Sequence, residues 1–209
     1  MLSFQTVLPD TLELLKRLMD VPLLSPLRLV GGTSLALQYG HRRSVDLDLF
    51  GDLEEDTEKV TAAISDVGNV IQGICSKSIK TYRIDGVKTD FVNYNRYPWI
   101  DDAVTEEGIR LASPRDIAAM KINAVMGRGS RKDFTDIYML LQHFSLDEIM
   151  DFYKKKYPEH SEFRALLSLT YFEDAEIQPM PDMFINVKWD EMKRCITEAV
   201  ENYNTIHLR

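Results

Sequence analysis

Cysteine is scarce in this sequence. The 209 residues contain two cysteines, Cys75 and Cys195, which are far apart and lack the paired spacing of a zinc site or a disulfide framework. We therefore expect both to be reduced thiols. The chain also lacks a basic segment followed by an apolar run, and no window approaches the ~18 apolar residues of a membrane helix. These absences predict a soluble, cytoplasmic protein with no membrane partner.

Positive charge is also in deficit. The 25 Lys and Arg residues face 33 Asp and Glu residues, which gives a formal net charge of −8. Non-specific coating of nucleic acid depends on clustered cations that neutralise phosphates, so this composition argues against it. Basic residues still concentrate at 41–43, 77–83 and 128–132, so a local cationic cleft remains possible. We interpret a further run, 154–156, as a solvated helix end.

The composition is 44% hydrophobic and 28% charged, which predicts a globular chain with a hydrophobic core. Apolar periodicity predicts both strands and helices, and so an α+β fold, with a core over 1–110. A helical C-terminal region over 111–209 is expected to pack on that core. The predicted strands are 27–30, 44–50, 69–75, 77–84 and 87–94. The predicted helices are 10–20, 33–39, 53–66, 114–126, 130–143, 145–156, 161–171 and 189–203.

Capping residues set most of these helix starts. Each predicted N-cap is a short polar side chain that can accept a hydrogen bond from the first turn, and an acid often follows three residues later. The predicted N-caps are Asp10, Asp52, Ser113, Ser130 and Ser145. Asp85-Gly86 predicts a tight hairpin turn between the last two strands.

Two carboxylates share one face of a predicted strand. Residues 44–50 alternate apolar side chains at 45, 47 and 49 with Asp46 and Asp48, so both acids point the same way. Such a pair can hold Mg²⁺, which prefers a few carboxylates together with phosphate oxygens. Taken alone the pattern is weak, because it also occurs by chance, in glycosyltransferases and on solvent-facing edge strands.

A glycine turn precedes the acids and a third acid follows them. Gly31, Gly32, Thr33 and Ser34 open a predicted helix, where backbone N–H groups and a hydroxyl can bind phosphate. An ordinary left-handed turn is the alternative. Asp90 lies in a later strand, and it could join the metal site and accept a proton if that strand neighbours 44–50. A solvent-facing acid on an edge strand explains Asp90 equally well.

The helical half supplies candidate phosphate ligands. Lys121 and Arg128 are seven residues apart and share roughly one helix face. Lys132 and Asp136 have the spacing of a surface salt bridge. Asp133 is explained as a helix cap.

Taken in order, three segments resemble the AbiEii/AbiGii family of nucleotidyltransferase toxins, within the polymerase-beta-like nucleotidyltransferase superfamily. The resemblance covers about 27–141, and the segment LTYFEDAEIQPMPDMFINVKWDEM is similar as well. The three segments are GGTSLALQYGHRRSVDLDLF, VKTDFV and SPRDIAAMKINAVMGRGSRKDFTDIYMLL.

The resemblance implies a nucleotidyltransferase fold, with a small mixed, mostly antiparallel sheet flanked by helices, and a role for each candidate residue. Asp46, Asp48 and Asp90 would bind Mg²⁺ or Mn²⁺, and Lys121 would join them as a catalytic residue. The nucleoside triphosphate would be bound by Gly31, Gly32, Thr33, Ser34, Arg43, Lys121, Arg128, Lys132 and Asp136.

The family also implies a biological setting. Its members are toxins of two-gene, type IV toxin–antitoxin and phage-defence modules, which implies an antitoxin protein as partner and RNA, such as tRNA, as acceptor of the nucleotide. Two other readings of the residues stay open. One is a nucleotide-binding or interaction module that transfers nothing, and the other is an adenylyltransferase that acts on a protein or a small molecule.

Overall fold

The computed structural model describes residues 1–207 and divides them into two compact units. The first, here called the sheet unit, consists of Met1–Tyr97 and Asp102–Ala112. The second, the helical unit, consists of Pro98–Asp101 and the chain from Ser113 onward. The chain therefore leaves the sheet unit for four residues, returns, and leaves again.

The sheet unit contains one seven-stranded sheet with three α-helices and two short 3₁₀ turns. The strands are β1 (Leu27–Leu29), β2 (Leu47–Gly51), β3 (Val70–Cys75), β4 (Ile79–Ile84), β5 (Val87–Asn93), β6 (Val104–Glu106) and β7 (Ile109–Leu111). The helices are α1 (Pro9–Met19), α2 (Gly31–Tyr39) and α3 (Thr57–Ile64).

The strand order is β3-β4-β5-β2-β1-β7-β6. The pairs β3–β4, β4–β5, β1–β2 and β6–β7 are antiparallel, whereas β2–β5 and β1–β7 are parallel. The predicted mixed, mostly antiparallel sheet is thus confirmed. Parallel neighbours need a long crossover, and the chain from the end of β2 through α3, β3 and β4 provides it for β5.

Period-two alternation explains the two central strands. Leu47 and Leu49 of β2 and Phe91 of β5 are buried in the core, together with one face of α1. Asp48 and Asp90 therefore project from the opposite face of the sheet. This face carries the candidate site.

Two strand predictions need correction. The strand expected over 44–50 begins only at Leu47, and Val45 is 52% exposed, so the alternation does not extend back to it. The segment before the strand is bonded to α2 instead, through the hydroxyl of Thr33. The β6–β7 hairpin was not predicted, because each strand has three residues; Glu107 and Gly108 form its turn with φ of +51° and +79°.

Two cap predictions were also wrong. Helix α1 begins at Pro9 after Leu8, so Asp10 lies in the first turn and is not the N-cap. Helix α3 begins at Thr57, where the Asp56 carboxylate accepts a hydrogen bond from the N–H of Lys59 at 2.8 Å. By contrast, the predicted turn at Asp85-Gly86 is confirmed, with both residues at positive φ.

The helical unit contains the remaining six helices of the described chain. The N-caps Ser113 and Ser145 are confirmed, the second with a complete capping box. The helix predicted over 161–171 ends at Leu169, a short helix that was not predicted follows at Glu173–Glu176, and the last helix extends beyond 203. The helices are α4 (Pro114–Gly127), α5 (Arg131–Leu141), α6 (Leu146–Lys156), α7 (Glu162–Leu169), α8 (Glu173–Glu176) and α9 (Trp189–His207). No helix within 1–207 has the length and apolar content of a membrane span.

A buried ion pair anchors the segment 98–101 within the helical unit. The Nζ atom of Lys156 lies 2.7 Å from Oδ1 of Asp116, and both side chains are fully buried. The same ammonium donates to the carbonyl of Pro98 at 2.8 Å and lies 4.2 Å from the ring centroid of Trp99. Asp116 also accepts the N–H of Ile100 at 2.9 Å. The sequence indicated that 154–156 is a solvated helix end. For Lys156 this prediction was wrong, because its side chain is fully buried.

Replacing Lys156 by methionine tests this anchor, because the Asp116 carboxylate would stay buried without its cation. We expect the free energy of unfolding, measured by urea titration, to fall by about 3–5 kcal/mol. Lys155→Met changes an exposed neighbour and should stay within about 0.5 kcal/mol of the wild type. Equal stability of the two variants would show that the ion pair contributes nothing.

Candidate active site

The predicted glycine turn is the first turn of α2. Gly31 has φ of +67°, a conformation that glycine adopts without strain. A Cβ atom on Gly31 would lie 2.5 Å from Oδ2 of Asp48, so a larger residue would displace that carboxylate. The structure thus brings Asp48 against the opening of α2, where the N–H groups of the first turn point outward along the helix axis.

A guanidinium lies against the second glycine. A Cβ atom on Gly32 would collide with Nη2 of Arg42, which is only 3% exposed. Arg42 also donates through Nη1 to the carbonyl of Arg43 at 2.9 Å. Sequence reasoning selected Arg43, which is half-buried, and overlooked Arg42. The run His41-Arg42-Arg43 was visible, but the arginine that faces the glycine follows only from the backbone path.

The hydroxyl groups of the turn face inward. Thr33 donates to Ser44 Oγ at 2.8 Å and to the carbonyl of Asp46, and so ties α2 to the segment before β2. Ser34 is fully buried, and its hydroxyl accepts a hydrogen bond from Gln38 at 3.1 Å. What the turn offers to an anion is therefore its backbone N–H groups, reinforced by the helix dipole.

The third acid lies directly opposite the second. In the parallel pairing of β2 with β5, Asp48 is the register partner of Asp90. The two strands are therefore neighbours, which was the condition for Asp90 to join the metal site. Asp46 comes one residue before β2, two positions from Asp48. The Oδ1 atom of Asp90 is buried and has no hydrogen-bond partner within residues 1–207.

Lys88 is a site residue that sequence reasoning missed. Its Nζ atom lies 2.6 Å from Oδ2 of Asp90. The hydrogen bond to Asp90 raises the pKa of Lys88, partial burial opposes this, and the charges of Asp90, Asp48 and Asp46 add to the rise. Lys88 is therefore a cation held in the field of all three acids. The signal was present, since Lys88 and Asp90 share one strand face in the alternation.

The donor atoms suit a divalent cation in kind. Carboxylate oxygens are the ligands that Mg²⁺ and Mn²⁺ take from proteins, and the unpartnered Oδ1 of Asp90 is such an atom. Within the described chain no three His, Cys, Asp or Glu side chains are gathered closely enough to form a metal site as they stand. The ammonium of Lys88 lies 2.6 Å from Asp90 and is a cation already present beside these acids.

A second cluster of predicted residues lies in the helical unit, around Asp133. Lys121 is 4% exposed, and its Nζ atom lies 3.0 Å from Asp133 and 2.6 Å from Asp136. Arg128 donates from Nε to Asp133 at 2.7 Å, and the Ser130 hydroxyl donates at 2.5 Å. Asp133 is thus the centre of a buried network as well as a first-turn acid, which corrects its interpretation as a cap. Lys132 is exposed.

The network changes the acidity of its central carboxyl group. Burial alone would raise the pKa of Asp133, but Lys121 and Arg128, with the Ser130 hydroxyl, lower it well below its ordinary range. Asp133 therefore stays ionised to a lower pH than an ordinary aspartate. Its charge holds the end of α4 to the start of α5.

The family model described as "Nucleotidyl transferase AbiEii toxin, Type IV TA system" matches residues 13–205. This chain belongs to the AbiEii family. It is a nucleotidyltransferase of the toxin class, and the resemblance seen in its motifs is confirmed.

Other AbiEii-like and nucleotidyltransferase proteins are similar to different degrees. An uncharacterised protein of Aquifex aeolicus, aq_aa25, is 33% identical over 91% of this chain and 94% of its own length. MenT4, a nucleotidyltransferase toxin from Mycobacterium tuberculosis, has a TM-score of 0.60 at 14% identity and covers 90% of this chain and 82% of its own. The Megavirus polyadenylate synthase has a TM-score of 0.47 at 12% identity over 64% of this chain and 31% of its own. The likeness to MenT4 confirms the nucleotidyltransferase fold of this AbiEii protein.

Replacing Lys88 by methionine tests whether its ammonium competes with a divalent cation. Removing one unit charge beside three carboxylates should raise the affinity of this AbiEii protein for Mg²⁺ or Mn²⁺, without nucleotide, by about tenfold or more. Isothermal titration calorimetry measures this directly. Lys59→Met, which removes a lysine paired with Glu55, is the matched control. Identical metal affinity of both variants would show that Lys88 does not occupy the cation position.

The Asp133 network predicts a specific dependence of stability on pH. Because the folded-state pKa is lowered, the ionised carboxyl stabilises the fold above its unfolded pKa of about 3.9, and this stabilisation is lost as pH falls through the lower folded-state value. Asp133→Asn should be less stable than the wild type at pH 7, and the difference should shrink steadily below about pH 4. Urea titrations across this range measure it, with Asp151→Asn as an exposed control. Parallel curves for Asp133→Asn and the wild type would contradict the prediction.

Proposed function

We propose that this toxin uses Mg²⁺ or Mn²⁺ to transfer a nucleoside monophosphate from a nucleoside triphosphate to an RNA acceptor such as tRNA, in a module with an antitoxin protein. One observation carries the proposal. Asp48 touches the phosphate-binding end of α2 on one side and is the register partner of Asp90 on the other. A triphosphate at the helix end and a hydroxyl near Asp90 would thus meet at the same carboxylates.

The candidate residues of the sheet unit have distinct roles in this proposed reaction. The N–H groups of the Gly31 turn bind the triphosphate, with the guanidinium of Arg42 beside Gly32 and Arg43 next in the chain. Asp46, Asp48 and Asp90 would hold the metal. When bound, a divalent cation polarises the α-phosphate and neutralises the charge that develops on the leaving pyrophosphate.

Asp90 is the proposed proton acceptor. As the acceptor oxygen forms its bond to the α-phosphorus, the bond from that phosphorus to pyrophosphate breaks and the hydroxyl proton passes to Asp90. To accept the proton through Oδ2, Asp90 must first lose the hydrogen bond that Lys88 donates to this atom. The ammonium of Lys88 can then contact a phosphate. The hydroxyls of Thr33 and Ser34 are bonded within the protein, so these two residues would contribute their backbone N–H groups to the triphosphate.

The predicted nucleotide-binding residues of the helical unit, retained as part of the proposal, differ in how accessible they are. Arg128 has a side chain 59% exposed even while it is bonded to Asp133, so it has room to bind a phosphate. Exposed Lys132 is proposed for the same role. Lys121 and Asp136 are buried against each other, and a direct contact of Lys121 with phosphate requires the ion pair to open.

The Lys88–Asp90 bond also favours a second candidate, a protein that binds nucleotide and transfers nothing. In that case Lys88 permanently neutralises the carboxylate that transfer requires. An adenylyltransferase that acts on a protein or small molecule would use the same carboxylates and differ in its acceptor.

Labelled transfer separates these candidates. With each α-labelled triphosphate, Mg²⁺ and total host RNA or protein, the wild type should label RNA, and Asp48→Ala should reduce labelling by about 100-fold or more. Asp52→Ala, which removes an exposed acid just after β2, should leave it unchanged. A folded wild type that binds no nucleotide would contradict the proposal, and label on protein alone would favour the adenylyltransferase.

Asp90→Asn refines the assignment, because asparagine keeps the shape and cannot accept a proton. We expect transfer to fall by about 100-fold or more while the affinity for triphosphate stays within a few-fold. Unchanged transfer would exclude Asp90 as the base. Strong triphosphate binding without transfer by the wild type would favour the non-transferring candidate.

A further inference from the structure

A cleft of about 690 Å³ lies in the sheet unit, beyond the candidate carboxylates. It is bordered by the ends of β2 and β5, by the turn between β3 and β4, and by the chain that follows β5. No role proposed above uses it. Its principal lining residues are Phe50, Lys77, Val92, Tyr94, Arg96 and Tyr97.

The cleft continues the strand face that carries the acids. Phe50 follows Asp48 by two residues, and its register partner Val92 follows Asp90 by two. Residues two apart on a strand share a face and are separated by about 6.6–6.8 Å. The floor of the cleft therefore begins one pleat repeat from the proposed reaction centre.

The strand order places the cleft on the acceptor side. The glycine turn follows β1, which pairs with one edge of β2, whereas β5 pairs with the other edge. Lys77 lies in the turn between β3 and β4, on the β5 side. The triphosphate and the cleft are thus on opposite sides of β2, and Asp90, the proposed base, stands on the side of the cleft.

The lining combines aromatic rings with cations. The rings of Phe50 and Tyr94 have centroids 5.3 Å apart, those of Tyr94 and Tyr97 are 5.1 Å apart, and the guanidinium of Arg96 lies 5.9 Å from the Tyr97 ring. Lys77 and Arg96 are exposed. The lining acid, Glu54, accepts a hydrogen bond from Asn95 at 3.1 Å. The charged residues of the lining thus have a net charge of +1, whereas the whole chain has a net charge of −8.

We propose that this cleft binds the acceptor as single-stranded RNA, and this proposal rests on the proposed function. An unpaired base stacks on the rings that Phe50 and Tyr97 present, and backbone phosphates contact Lys77 and Arg96. Aromatic rings beside cations recognise single strands, because the bases of a duplex are already stacked on one another. The terminal hydroxyl then reaches Asp90 from the side opposite the triphosphate.

Binding measurements test the two cations. With a labelled, unstructured RNA of about ten nucleotides and fluorescence anisotropy at low salt, Lys77→Ala/Arg96→Ala should weaken binding by about tenfold or more. Lys155→Ala/Arg83→Ala removes the same charge from exposed positions on α6 and β4 and should change the affinity by less than about twofold. Both variants should bind triphosphate as the wild type does. Equal RNA affinities of the two variants would overturn the proposal, and so would selective loss of triphosphate binding in the first, since the donor would then occupy the cleft.

A conservative pair tests stacking. Tyr97→Phe keeps the ring and should bind RNA as the wild type does, whereas Tyr97→Leu should weaken binding by about tenfold, the loss of one base–aromatic stack. A duplex of the same length should bind equally weakly to both. Equal affinity of the two variants for single-stranded RNA would overturn the stacking assignment, as would preferential binding of the duplex.

The failure of this proposal is distinguishable from failure of the proposed function. If label is transferred to RNA equally well by the wild type and by Lys77→Ala/Arg96→Ala, the cleft proposal fails and the nucleotidyl transfer stands. If RNA binding depends on the cleft but no triphosphate is used, the proposed transfer fails and the cleft remains an RNA site. Label found only on protein overturns the RNA proposal.

Discussion

The parallel pairing of β2 with β5 is the constraint on which the candidate site depends. It sets Asp48 opposite Asp90, and the same register sets Phe50 opposite Val92 farther along the face. Because side chains alternate between faces, a slip of one residue would turn Asp90 into the core and expose Phe91. The fully buried Phe91 and Leu49 thus fix the positions of the acids as firmly as any contact that the acids make themselves.

Three of the lysine–carboxylate contacts, those of Lys156, Lys121 and Lys88, differ in how easily they can exchange partners. The Lys156–Asp116 pair is fully buried, and Lys121 is nearly so between Asp133 and Asp136, so opening either pair leaves charges without water. The side chain of Lys88 is 46% exposed. Its ammonium can return to solvent at little cost. The exchangeable pair lies among the proposed metal ligands, and the two permanent pairs hold helices and the crossing segment.

Much of this arrangement could be predicted from local patterns. The orientation of Asp48 follows from alternation along β2, whereas Asp46 precedes the strand. The caps at Ser113 and Ser145 follow from short polar side chains placed before helical periods. What local patterns do not contain is pairing between distant segments. The register partner of Asp48, the burial of Lys156 and the central position of Asp133 all depend on which segment packs where.

Some residues of the site were misjudged for a similar reason. Arg42 and Arg43 are the same residue type at adjacent positions, so the sequence does not show which one faces Gly32. The path of the backbone decides it. The alternation placed Lys88 on the same strand face as Asp90. The sequence pattern of a lysine near an acid on a strand is the same, however, for a surface ion pair and for a lysine that neutralises a functional acid. The hydroxyls of Thr33 and Ser34 suggested phosphate contacts, whereas folding uses them to hold the turn.

The double crossing between the units has a consequence for dissecting the protein. A fragment that ends at Tyr97 lacks β6 and β7, so the edge of β1 that pairs with β7 is left open. A fragment that ends at Ala112 completes the sheet but carries Pro98–Asp101 away from Asp116 and Lys156. No single cut of the backbone releases both units intact. Proteolysis and deletion mapping would therefore report damage to a second unit whichever one they were meant to remove.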